Sequence, residues 1–331
     1  MFEILRYTPS HADEWNQFVA TSKNGTFLFD RRYMDYHADR FEDCSLMFFL
    51  NGKLYGLLPA NRRGDVLYSH QGLTYGGLIM NEKATASAVL QLFREMNGWL
   101  SSQGVAKVVY KVVPHIYHSI PAEEDLFALY SACDAQLLER NVTCSIDLSR
   151  KLKWNRDRKY GINRCRNNGV VVKESEDLDG FWEILNRNLM QRFGAKPIHT
   201  IEEMRLLKSR FPRLIRLFVA EQEGRMLGGT LLYLSRNVVH TQYISASEEG
   251  KHLRVLDAIF HHLLNEREWP CRYFDFGTSN EEDGRYLKES LIYQKEGFGA
   301  RAVSHDIYEY DVREFREFKE FKEMKDEKER K

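Results

Sequence analysis

The sequence predicts an α/β chain in which the same mixed-sheet layout is laid down twice. Two observations predict it. The order of predicted elements over the first half, β-α-α-β-β-β-α-β-α-β-β, recurs over the second half. The chain of 331 residues is also long enough for two domains, with 43% hydrophobic and 29% charged residues in the range of ordinary globular proteins. We place the first domain at 1–149, the second at 150–312, and a charged helical tail at 313–331.

Phe2 to Tyr7 reads as a strand, and Ser10-x-x-Asp13 as a capping box opening a helix through Ala20. A second helix is expected from Arg31 to Phe41. Leu46 to Leu50, Asn51-Gly52 and Lys53 to Leu58 form a hairpin with the Asn-Gly signal of a type I′ turn. Val66 to Ser69 is a strand, Lys83 to Ser102 a long amphipathic helix, and Ala106 to Val113 a buried strand ended by Pro114. A helix over Glu123 to Cys133 and strands over Ala135 to Glu139 and Val142 to Leu148 complete the first half. The loop Ser69 to Leu78 is unusual in carrying three glycines beside His70, Thr74 and Tyr75, which suggests backbone held close to a neighbour.

In the second half, Val170 to Glu174 is a strand, and Leu178 to Arg192 and Ile201 to Arg210 are helices. Leu214 to Glu221, Arg225 to Leu234 and Val238 to Ala246 make a meander, followed by a helix from Leu253 to Glu266. Arg272 to Phe276 is a short strand, after which Gly277 to Asn280 breaks the pattern, with Ser279 or Asn280 placed to cap a helix that ends at Gly297. Phe298-Gly299 leads into a last strand. Polar groups therefore collect at one mouth of a sheet, where open α/β sheets bind ligands.

Lys and Arg together number 48 and so do Asp and Glu, so no overall attraction to nucleic acid or an anionic membrane is expected. The N-terminal residues lack a signal pattern and no apolar run reaches spanning length, so a cytoplasmic protein is expected. The five cysteines are far apart with no metal-ligand spacing, which points to reduced thiols and no metal. Ser-His-Asp, Cys-His, P-loop and Rossmann signatures are absent. In the tail, Phe315, Phe318 and Phe321 recur every third residue, giving either a solvated surface helix or a contact helix for a homodimer.

Tyr293-Gln-Lys-Glu-Gly-Phe resembles the Tyr-x-x-x-Gly-Phe ending of GNAT acyltransferases. The wider run, Phe274-Asp-Phe-Gly, then Gly284, then Lys295-Glu-Gly-Phe-Gly, is similar to the Fem-like branch, which includes peptidoglycan-bridge aminoacyl transferases. The resemblance implies two tandem GNAT-like domains and an acyl donor held where two parallel strands splay, here between Val238–Ala246 and Arg272–Phe276. It implies Tyr293 as the leaving-group acid and Lys295 as a charge near donor phosphate or carbonyl. His240 is a candidate base or water-holder, sharing a strand face with Gln242 by simple alternation. Asp275 faces the same mouth, where capping the adjacent turn competes with catalysis.

Gly250, Lys251, Arg254, Gly277 and Ser279 fall on the donor side. The segment Ser247 to Arg254 lacks the glycine-rich pyrophosphate loop of GNAT proteins, and Glu248 and Glu249 repel phosphate. Arg192, in an Arg-Phe-Gly that resembles the branch's Arg-x-Gly, falls with Tyr75 and Gly76 on the acceptor side. The basic run Lys151 to Arg166 would meet phosphates or serve as a solvated linker helix. The implied activity is acyl transfer, with acetyl-CoA or another acyl-CoA as co-substrate and no metal. The acceptor is an amino or hydroxyl group of a sugar or small metabolite, in cell-envelope polysaccharide synthesis. Alternatives are an aminoacyl-tRNA-dependent peptidoglycan-bridge transferase and a GNAT-fold binding module without catalysis.

Overall fold

The computed structural model describes residues 1–312. The expected tail helix and its dimer contact lie outside them. The chain packs as two units, Met1–Glu139 with the described residues from Asp306 on, and Arg140–His305.

In the first unit Phe2–Arg6, Leu46–Leu50, Lys53–Leu58 and Ile79–Met80 pair antiparallel. The hairpin turns at Asn51 (φ 52°) and Gly52 (φ 71°), both left-handed as a type I′ turn demands. Lys107–Lys111 pairs parallel with Val66–Tyr68 and antiparallel with Ile307–Asp311. The helix Ala86–Ser102 buries Val89, Leu92, Phe93, Met96 and Leu100, the helical spacing that makes its apolar stripe. That stripe packs with Tyr110, Tyr310 and Val312 into one core.

In the second unit the antiparallel ladder runs Val171–Ser175, Ile215–Gln222, Arg225–Leu234, Val238–Ala246. The last of these pairs parallel with Tyr273–Thr278, which pairs antiparallel with residues of Gln136–Asp147. Helices Arg156–Asn167 and Val255–His261 lie together, and Phe260 joins Phe274, Phe276 and Phe298 in an edge-to-face and stacked aromatic cluster.

Several expectations are corrected. The capping box at Ser10 does not form, since its hydroxyl lies 2.8 Å from that of Thr8 and the helix Ala12–Thr21 has no side-chain cap. The helix expected to Phe41 stops at Met34 and continues as a tighter turn broken at His37 (φ −128°). The two strands expected around residues 135–148 are one, Gln136–Asp147. Ser247–Arg254 is not a loop: Ser247 caps the helix Glu248–Leu253, and Arg254 (φ 66°) separates it from Val255–His261. Neither Ser279 nor Asn280 caps a helix. Asn280 Oδ1 accepts from the Val142 N–H at 2.7 Å, Asn280–Glu281 pairs with Tyr286–Leu287, and the helix begins only at Glu289.

Candidate active site

The site is set by where two parallel strands stop pairing. Val238, Val239 and His240 oppose Tyr273, Phe274 and Asp275, and the ladder ends at that third rung. On its other edge the strand Val238–Ala246 bulges, with Thr241 opposite Leu232 and Tyr243 opposite Leu231, which leaves Gln242 as the extra residue. A bulge inverts the alternation beyond it. Val239 before the bulge and Ile244 and Ala246 after it all pack into the aromatic core, while Tyr243 and Ser245 turn to Trp182 and Asn188. The expected shared face of His240 and Gln242 is lost for this reason.

At the last rung, His240 Nδ1 lies 2.7 Å from Asp275 Oδ2. Asp275 is fully buried and accepts three further hydrogen bonds, from Thr143 Oγ1 (2.5 Å), Ser145 Oγ (2.6 Å) and the Gly277 N–H (3.1 Å). Burial alone would push its carboxyl up; hydrogen bonding and the charge of His240 outweigh that and hold it at about 2. Asp275 thus organises both strand ends as a buried anion.

Just past the rung, Lys295 reaches back from the helix Glu289–Glu296. Its ammonium donates to the carbonyls of Gly277 (2.8 Å) and Thr278 (2.7 Å) and to Ser279 Oγ (2.9 Å). Burial pulls Lys295 down to about 8, against the favourable charge of Asp275. Gly277 takes φ 74°, and a Cβ there would sit 3.4 Å from the His240 ring. Ser279 is fully buried under the lysine, which makes it a support of Lys295.

A cavity of about 300 Å³ fills the gap beyond the rung, between Ile244, Ser245 and Ala246 on one strand and Phe276 on the other. Lys295 and Arg192 also line it. Ala246, Lys251, Leu256 and Gln294 are shared with a second cavity of about 360 Å³, lined also by Tyr293, Gly250 and Arg254. Tyr293 and Lys295 stand two positions apart on one helix, which turns them in different directions. Tyr293 is 63% exposed, Lys295 5%.

The cations of the second cavity already have acidic partners. Arg254 makes two bonds to Asp157 (2.6 and 2.7 Å) and one to Asp257 (2.8 Å), and Arg158 meets Asp257 at 2.6 Å. Hydrogen bonding to Asp157 raises Arg254 above the usual arginine range. Lys251 donates to Asn188 at 2.7 Å and pairs with Glu248. Gly250 is required by close approach, since a Cβ there would lie 2.2 Å from the Leu227 carbonyl oxygen.

The structure therefore brings Tyr293, Lys295, Lys251, Arg254, Gly250 and Arg192 to two adjoining cavities, with His240, Gly277 and Ser279 at the strand ends behind them. Tyr75 and Gly76 belong to the first unit. Tyr75 is 3% exposed with its hydroxyl 3.0 Å from Thr26 Oγ1, and a Cβ on Gly76 would strike the Ser69 carbonyl. The tight connection there is a packing requirement. Sequence reasoning missed Asp257 and Asn188, whose only signals were a carboxylate three residues after Arg254 and a polar residue on the inward face of an amphipathic helix.

Among the described residues, no cluster of His, Cys, Asp or Glu is arranged to hold a metal, and no helix is long and apolar enough to cross a membrane. All five cysteines are buried free thiols. Residues 149–286 match the model of the acetyltransferase (GNAT) domain. The chain is similar in fold to FemX, with a TM-score of 0.66 at 12% identity over 93% of this chain and 97% of that one. It is similar to L-PGS from Bacillus licheniformis at TM-score 0.54, with 12% identity over 91% of each chain. A conserved protein of unknown function from Bacteroides thetaiotaomicron aligns at TM-score 0.54, with 13% identity over 94% of this chain and 99% of that one. No curated protein matches by sequence.

Proposed function

The chain has a Fem-like tandem GNAT fold, and from that premise we propose that it is an acyltransferase whose donor carbonyl lies in the gap after His240 and Asp275. The observation that carries this reading is the cavity beyond the last paired rung, with Lys295 fixed at its edge. Backbone N–H groups of a strand that has lost its partner are the oxyanion donors such chemistry needs. An amino or hydroxyl group of the acceptor attacks the acyl carbon, the bond to the donor's sulfur or oxygen breaks, and the acceptor's proton passes to solvent. Tyr293, on the second cavity, returns a proton to the leaving group.

Lys295 keeps a positive charge beside the cavity while pinning the strand end. His240 donates its Nδ1 proton to Asp275, so in this reading it fixes where the strands part and does not touch the acyl group. Arg192, at the first cavity, is assigned to the acceptor, a sugar or small metabolite bearing an amine or hydroxyl. Acyl-CoA is the favoured donor, passing from the second cavity into the first.

A second reading takes an aminoacyl ester of tRNA as donor. The alignment over 97% of FemX favours it, as does the pairing of Arg254 and Lys251 with acids that compete with a pyrophosphate. Thermal-shift titration with acetyl-CoA and with aminoacyl-tRNA separates the two. A ligand of the native state at a hundredfold over its Kd stabilises by about 2.7 kcal/mol. A response to acetyl-CoA supports the first reading, a response to aminoacyl-tRNA alone the second, and silence with both favours a binding module.

A further inference from the structure

We infer that the acyl group this site takes is a medium-length apolar chain of roughly ten carbons, not acetyl. The inference rests on the acyl-transfer reading and deepens it. Three features of the first cavity support it.

The first is size. A dry cavity of about 150 Å³ lined by leucine, isoleucine and phenylalanine binds benzene. This one measures about 300 Å³ and sets apolar walls, among them Leu185, Leu189, Phe260, Phe276, Leu291 and Phe298, beside a polar side that includes Arg192 and Lys295. An acetyl group would leave most of it empty, and an apolar void forfeits the contacts of its lining.

The second is the state of its polar groups. Asn188 Nδ2 donates to Ser245 Oγ and to the Ala246 carbonyl, each at 2.6 Å, and its Oδ1 accepts from Lys251 at 2.7 Å. Lys295 has three protein acceptors within 2.9 Å. Asn188 and Lys295 are thus already hydrogen-bonded within the protein and have little left to offer a polar guest, which leaves Arg192 and Gln294 as the cavity's remaining polar groups.

The third is continuity with the surface. Phe193 lines the cavity yet is 58% exposed, and the Lys288 ammonium stands 5.1 Å over its ring. Tyr286 and Leu287, next to Lys288 in the chain, and Met190, three residues before Phe193, are exposed as well. A run of exposed apolar side chains leading into an apolar cavity is an entry path for a chain longer than the cavity itself.

Calorimetric titration of the full chain with acetyl-CoA, decanoyl-CoA and free decanoate tests the inference, with Leu189→Trp and Leu291→Trp as variants that fill the cavity from two different helices. Decanoyl-CoA is expected to bind about a hundredfold more tightly than acetyl-CoA, the equivalent of roughly four buried methylenes. Either tryptophan variant that keeps the parent melting temperature should erase that advantage. Equal binding of the two thioesters overturns the inference and leaves acyl-CoA as donor. Binding of decanoate without either thioester keeps the chain site and rejects coenzyme A. Failure of all three ligands rejects both.

Discussion

His240 and Asp275 face each other across the last rung of the parallel pair, with Nδ1 and Oδ2 2.7 Å apart, and the strands separate one residue later. The carboxylate is fully buried and holds four donors. Asp275→Ala is expected to cost about 3–5 kcal/mol, because four donors, two of them on the buried Thr143 and Ser145, lose their acceptor together. Asp275→Asn should cost less, about 2 kcal/mol, since the two hydroxyls can rotate to accept from the new amide. Urea unfolding measures both. An alanine variant within 1 kcal/mol of the parent would show that the carboxylate does not hold the strands.

The same carboxyl gives an acid signature. Its folded value of about 2 lies below the ordinary 3.8, so its stabilisation is complete above about pH 4 and disappears as pH falls through 2. The parent should lose stability over that interval more steeply than Asp275→Asn, as followed by circular dichroism. Parallel acid curves would contradict this.

Lys295 behaves oppositely. Burial brings it to about 8 from an ordinary 10.5. Between those values the unfolded chain binds more protons than the folded one, so this group's contribution to stability rises with pH from about 8 to 10.5. If the ammonium stabilises the reacting carbonyl, kcat/KM falls above pH 8 in the parent. In Lys295→Arg, which stays charged, that alkaline limb should vanish even if overall activity drops about tenfold. A limb that persists in the arginine variant assigns it to another group.

Tyr293 separates chemistry from folding. Its side chain is mostly exposed, so Tyr293→Phe should leave the melting temperature within about 2 °C. Turnover should fall by about 10²-fold or more if the phenol protonates the leaving group. Undiminished turnover would remove Tyr293 from the mechanism.

Gly250 offers a test of packing. Adding a Cβ would place it 2.2 Å from the Leu227 carbonyl oxygen. Gly250→Ala is therefore expected to cost about 1–3 kcal/mol by chemical denaturation. A variant as stable as the parent would show that the Leu227 contact is not what requires the glycine.

Much of this arrangement was legible because it is local. Arg225–Leu234 and Val238–Ala246 are short apolar runs bounded by turn residues, Glu223-Gly224 and Ser235 to Asn237, which marked them as strands. The expected splay between the parallel strands is also where pairing stops. What the sequence hid depends on distant partners. The bulge at Gln242 exists only relative to Leu231 and Leu232. Asn280 has the chemistry of a helix cap, but Val142 claims its side-chain oxygen. Ser279 looks like a cap too, yet its hydroxyl supports Lys295. Thr143 and Ser145, which complete the site of Asp275, are separated from it by 132 and 130 residues.

Ile307–Asp311 completes the first unit by pairing with Lys107–Lys111, although the whole second unit lies between them in the chain. During synthesis, then, the amino-terminal unit emerges from the ribosome with the edge of Lys107–Lys111 uncovered, and it stays so until the residues that cover it have been translated. The second unit has no such wait, because its residues follow one another without interruption from Arg140 to His305. The later-made unit is thus the first able to close, and a nascent chain halted near residue 150 would expose an unpaired strand to other chains.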